Sequence, residues 1–97
     1  MEKYQHLPEL RGIGFFVRIA SMIFSKYIQG SSAVMKQKVI ANNLGIGLPR
    51  FYRHFNFNPE KAQQQMEMLG LRRYKVGSTV YFELDTDVYK DFIFGTK

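Results

Sequence analysis

The 97 residues contain no cysteine. Disulfides and thiolate metal sites are thereby excluded, and the expected setting is a reducing, intracellular one, the cytoplasm. Histidine is nearly as scarce. His6 stands close to the N-terminal end and His54 among arginines. Neither has a second histidine three or four residues away, so no metal site is expected. Nor do they form a triad with a serine or a carboxylate at an arguable spacing. The eight acids are scattered, and no two share a predicted helix face beside an apolar pocket. General acid–base chemistry lacks its parts, and neither an enzyme nor a cofactor is expected. Long apolar runs are missing too. The first begins after Pro8, is interrupted by Arg18, and suits neither a signal peptide nor a membrane span. Gly12 and Gly14 lack the third glycine and the preceding strand of a phosphate-binding loop.

What is present is aromatic and basic. A chain of this length makes one domain with one modest core. Nine phenylalanines and six tyrosines supply apolar area for that core and exclude global disorder. The net charge of +6 is unevenly placed. Between Lys36 and Lys75 stand eight bases against Glu60 and Glu67, whereas bases and acids balance over the remainder. A clustered basic field of this kind points to a polyanion, and to nucleic acid first.

The hydrophobic pattern orders the chain. Residues 1–6 read as a frayed end, and Leu7 to Leu10 as a short turn with Pro8 at its first position. Ile13 to Gln29 is the strongest helix, with Arg18, Ser21, Ser25 and Gln29 as its polar stripe. Phe15, Phe16, Ile19, Ala20, Ile23, Phe24 and Tyr27 cover the rest, which suits either the centre of the core or a seam with a second copy. Ser31 or Ser32 is expected to cap a helix from about Ala33 to Asn43. Leu48 to Phe55 follows, opened by Pro49, with Phe51 and Phe55 on one face and Arg50, Arg53 and His54 on the other. Asn58-Pro59-Glu60 signals a further helix start, and Ala62, Met66 and Leu69 form the stripe it buries. Gly70 closes that helix in a left-handed conformation. Leu71 to Val76 and Thr79 to Leu84 then read as two strands about a Gly77-Ser78 turn of type II′. This register sets Leu71 opposite Leu84, Arg73 opposite Phe82 and Tyr74 opposite Tyr81. Asp85 or Thr86 caps a last short helix to about Phe94, with Val88, Phe92 and Ile93 packing inward.

Two stretches carry a resemblance. Ile40-Ala41-Asn42-Asn43-Leu44-Gly45-Ile46 resembles the second helix and turn of helix-turn-helix proteins. The alanine allows close helix approach, the leucine fills the core, and the glycine turns the chain. The basic hairpin from Leu71 to Leu84 resembles the wing of a winged-helix domain. Together they imply an α+β fold, a helix-rich winged helix-turn-helix with a C-terminal two-stranded hairpin wing and a short last helix. They further imply binding of double-stranded DNA, one helix in the major groove and the wing on the backbone. By analogy, small proteins of this kind are transcriptional regulators, often dimers.

The interval between Gly45 and the wing is longer than a lean winged helix requires and is broken at Pro59. The groove element is therefore either 49–55 or 59–69. Arg50, Arg53 and His54 are the first candidates for base edges, and Lys61, Gln63 and Gln64 the second. Arg72, Arg73 and Lys75 are placed for phosphates, with Lys36 and Lys38 at the start of the basic segment. Two other readings stand beside this one. A protein-interaction module would bind an acidic partner, such as a polymerase subunit, and would expose part of Phe51, Tyr52, Phe55 and Phe57. RNA binding would stack bases on Tyr52, Tyr74 or Tyr81.

Overall fold

The computed structural model describes residues 13–95. The terminal expectations (the frayed 1–6, His6, the 7–10 turn and Gly12) lie outside them. Within the described residues, five helices and three strands follow in the order α1 Gly14–Ile28, β1 Val34–Lys36, α2 Gln37–Leu44, α3 Leu48–Asn56, α4 Pro59–Leu69, β2 Leu71–Val76, β3 Thr79–Leu84 and α5 Thr86–Phe94. The fold is α+β, with an antiparallel sheet ordered β1-β3-β2.

α1 sits at the centre of the core. Phe16, Ile19, Ala20 and Ile23 recur at helical spacing and are all buried. Tyr27 and Ile28, at its last turn, face out. Around this stripe gather Ile40 and Ala41 of α2, Phe51 and Phe55 of α3, Ala62, Met66 and Leu69 of α4, and Leu71, Phe82 and Leu84 of the hairpin.

The sheet has three strands where a two-stranded hairpin was expected. β1 occupies what reads in sequence as the first turn of a helix beginning at Ala33. Val34 pairs with Glu83, Met35 with Phe82 and Lys36 with Tyr81, and Leu84 N–H donates to the Ala33 carbonyl at 2.9 Å. Pairing to β3 satisfies backbone groups that a helix would otherwise bond internally, so α2 begins four residues late. Neither Ser31 nor Ser32 caps it; the N-cap is Lys36, in extended conformation and without a side-chain cap. Lys26 Nζ donates to the Val34 carbonyl at 2.8 Å, holding the strand to the last turn of α1.

Elsewhere the local signals hold. Gly45 ends α2 at φ +71°, and the Ile46 N–H returns to the Ala41 carbonyl. Asn58 Oδ1 accepts the Lys61 N–H at 3.1 Å, so α4 starts as a new helix rather than continuing α3 through a kink. The hairpin pairs in the expected register from Leu71↔Leu84 to Val76↔Thr79. At its turn Gly77 has φ +62° while Ser78 does not have positive φ, which fits type II′ and excludes I′. Asp85 Oδ1 accepts from the N–H groups of Asp87 and Val88 and starts α5. In α5 the buried residue is Tyr89, whose hydroxyl is 2.7 Å from Ser21 Oγ of α1. Val88 is more exposed than expected, and Phe92 and Ile93 are half-buried.

Gly70 joins helix, hairpin and last helix. Its φ is +77°, and the Asp85 N–H donates to its carbonyl at 2.7 Å. A Cβ here would meet the Asp85 carbonyl oxygen at 2.8 Å and Val88 Cβ at 2.9 Å. Gly70→Ala therefore combines left-handed strain with a backbone clash. We expect it to destabilise the fold by about 2–4 kcal/mol in urea denaturation. A change within about 0.5 kcal/mol would show that α5 is not held this closely against the helix end.

Candidate nucleic-acid interface

α3 is rotated about its axis by what it buries. Phe51 and Phe55, four residues apart, enter the core, where their rings lie 6.0 and 5.9 Å from that of Phe82. Positions 50, 53, 54 and 57 form the opposite stripe, at i, i+3, i+4 and i+7. Arg50, Arg53, His54 and Phe57 are accordingly exposed, and Arg50 and Arg53 both act on His54.

Two clefts flank this helix. The first, about 290 Å³, is lined by Phe16, Arg53, His54, Phe57, Asn58, Lys61, Ala62 and Gln65. It bridges α3 and α4 across their break and brings Arg53 and Lys61 to one opening. The second, about 370 Å³, is lined by Lys36, Gln37, Lys38, Leu48, Tyr52, Ser78, Thr79 and Val80. Here the start of α2, the start of α3 and the tip of the hairpin converge. Lys75 is the cross-strand partner of Val80 at this end of the hairpin. Among the described residues, no acid lines either cleft.

The three hairpin bases prove unlike one another. Arg72 lies on the other face of the strand from Arg73, ion-paired with Glu83 at 2.9 Å and beside Gly70 and Asp85. It is separated from the α3 stripe, and its charge is already partnered. Arg73 is exposed, yet its guanidinium lies against aromatic rings of α3. The group sits 4.7 Å from the ring centre of Phe55 and 5.8 Å from that of Tyr52, and Nε donates to Gln37 Oε1 at 2.9 Å. Burial pulls its pKa down, and Tyr52 opposes that shift. Arginine's ordinary value is so high that the group stays charged. Both were expected to reach phosphates; in the fold the one is paired within the sheet and the other braces the hairpin against α3. Lys75, at the hairpin's far end, is exposed and carries neither kind of engagement.

His54 also has a structural engagement. Its ring stacks on Phe15 at 3.8 Å with an interplanar angle of 5°. Burial, then Arg50, then Arg53 lower its pKa from imidazole's ordinary value, which favours the neutral ring. As a neutral, stacked ring it is a poor phosphate partner and a better spacer between the two arginines. Gln64 is exposed on α4 and lines neither cleft; Gln63 Nε2 donates to Glu67 Oε2 at 3.0 Å. Tyr74 and Tyr81 stack on each other with ring centres 5.7 Å apart.

Gln37 is a residue that sequence reasoning missed. It is buried, accepts from Arg73, and its Nε2 donates to the Tyr52 hydroxyl at 3.2 Å. A glutamine at a helix start carries no signal of this; its position follows from β1 displacing that start. Among the described residues, no three His, Asp or Glu side chains gather into a set that would hold a metal ion. No helix among them is long and apolar enough to cross a membrane.

Compared with models of known protein families, with curated proteins and with solved structures, the chain has no match in any of the three.

The contrast between Arg73 and Lys75 is open to a direct test. Arg73→Leu leaves the buried Gln37 oxygen without its charged donor and should cost roughly 1–3 kcal/mol in thermal or urea unfolding. Lys75→Gln should stay within about 0.5 kcal/mol of the parent. Equal, negligible effects would mean that Arg73 is as free as Lys75 and that its contacts do not hold the hairpin.

Proposed function

We propose that the chain is a winged helix-turn-helix protein that binds double-stranded DNA, with α3 toward the major groove and the hairpin tip toward the backbone. The observation that carries this reading is the acid-free character of both clefts flanking α3, set against the acids crowded at 83–91. A surface that excludes carboxylates while gathering Arg53, Lys61, Lys36 and Lys38 suits a polyphosphate backbone. The element order supports the same reading: helix, strand, helix, glycine turn, two short helices in place of one, and hairpin, with the first strand pairing to the last. α3 comes first after the turn and bears Arg50 and Arg53 outward, so it is assigned to the groove. α4 supplies Lys61 at the rim. A regulatory role in transcription follows only by analogy with small DNA-binding domains.

The protein-partner reading required a shared apolar surface on α3. Phe51 and Phe55 are buried and Tyr52 is half-buried under Arg73, so of these aromatic side chains Phe57 is the one left exposed. Depletion of charge at the centre of an interface, usual for protein partners, is the reverse of what α3 presents.

The test separates backbone from base contacts. Neutralising Lys36, Lys38 and Lys75 should weaken binding to all duplexes alike. It should also make the slope of log K against log salt shallower by roughly 0.9 for each phosphate no longer neutralised. Arg50→Gln or Arg53→Gln should instead cost about 1–3 kcal/mol chiefly on a site selected from random duplexes, relaxing preference there. Absence of salt-dependent binding to any duplex in fluorescence anisotropy would sink the proposal.

A further inference from the structure

Phe57 is 90% exposed, more than any other large apolar side chain among the described residues. The core does not use its ring, being closed beneath α3 by Phe51 and Phe55. Its backbone nonetheless continues the helix. Its N–H donates to the Arg53 carbonyl at 3.1 Å and its backbone remains helical at φ −62°, ψ −43°. The ring is therefore projected by helix geometry along the stripe of Arg50, Arg53 and His54. Around it, on the wall of the first cleft, stand Arg53, His54, Asn58 and Lys61. A phosphate-lined groove would find two cations, Arg53 and Lys61, on the wall of the same cleft.

Resting on the DNA reading above, we infer that Phe57 contacts the 5-methyl group of a thymine in the major groove and selects for that base. The groove's base edges are hydrogen-bond donors and acceptors, and thymine's methyl is the one apolar feature among them. Set against any other base, the ring would dehydrate polar edge atoms without replacing their hydrogen bonds. Against the methyl it buries apolar surface on both partners. Lys61 at the rim holds the backbone, and the ring reads a base beside the one that Arg53 contacts.

The experiment removes the methyl alone. Parent protein and Phe57→Ala are titrated against the duplex site selected from random sequence. Both are then titrated against versions in which each thymine in turn is replaced by deoxyuridine. One position is expected at which the parent loses about fourfold in affinity, the transfer free energy of one buried carbon group. Phe57→Ala should lose nothing there. So exposed a ring leaves no cavity, and the variant's circular dichroism and melting should match the parent's. Should the parent bind with salt dependence yet tolerate uracil at every position, or select a site with no fixed thymine, the inference fails and DNA binding stands. The inference also fails if Phe57→Ala keeps the parent's methyl discrimination, since the contact then belongs to another residue. If the parent binds no duplex at any salt, both readings fall together.

Discussion

The packing of Phe51 and Phe55 against Phe16 and Phe82 is the constraint on which the rest of the structure depends. Edge-to-face and tilted ring pairs at 5.3–6.0 Å join α1, α3 and β3 at one point. Such pairs contribute more than their buried area alone and favour particular ring orientations. Because two of the four rings are one helical turn apart on α3, their burial determines which way every other α3 residue points. Arg73 extends the arrangement by lying over the outer side of Phe55, so the hairpin is oriented by the same cluster. Core and candidate interface are thus two sides of one short helix.

The break after α3 matters as much as the helix. Asn58 caps α4 and Pro59 supplies a fixed backbone angle at its start, so the chain changes direction without loosening. The change of direction lets a base from α4, Lys61, stand beside one from α3, Arg53, across a cleft. Within a single straight helix these residues, eight apart, would lie about 12 Å apart along the axis.

Much of this was legible in the sequence because it is governed by local chemistry. Caps at Asn58 and Asp85, left-handed glycines at 45, 70 and 77, and the hairpin register each depend on a few neighbouring residues. The rotation of α3 was legible too, since Phe51 and Phe55 alternate with Arg50, Arg53 and His54 at helical period. What escaped is whatever depends on distant pairing. β1 is three residues long with no turn signal before α2, and only β3 makes it a strand. The burial of Gln37 follows from that strand, and the placing of the Arg73 guanidinium follows from Gln37. The pairing of Arg72 with Glu83, on the face opposite Arg73, was by contrast legible from the hairpin register. Only the tertiary fold adds that the other face has Phe55 beneath Arg73.

The order of the sheet has one more consequence, for what the molecule avoids. β1 and β2 are both edge strands, each with a row of backbone groups able to accept another chain. β1 is only three residues long, and Lys26 already occupies the Val34 carbonyl. β2 is twice that length, and Arg72, Arg73 and Lys75 lie along it. Of these, Lys75 is exposed without an engagement of the kind that holds Arg72 and Arg73, and a charge of that kind on an edge strand disfavours edge-to-edge pairing with a second copy. Lys75 therefore has a use in keeping copies apart whether or not any ligand is bound.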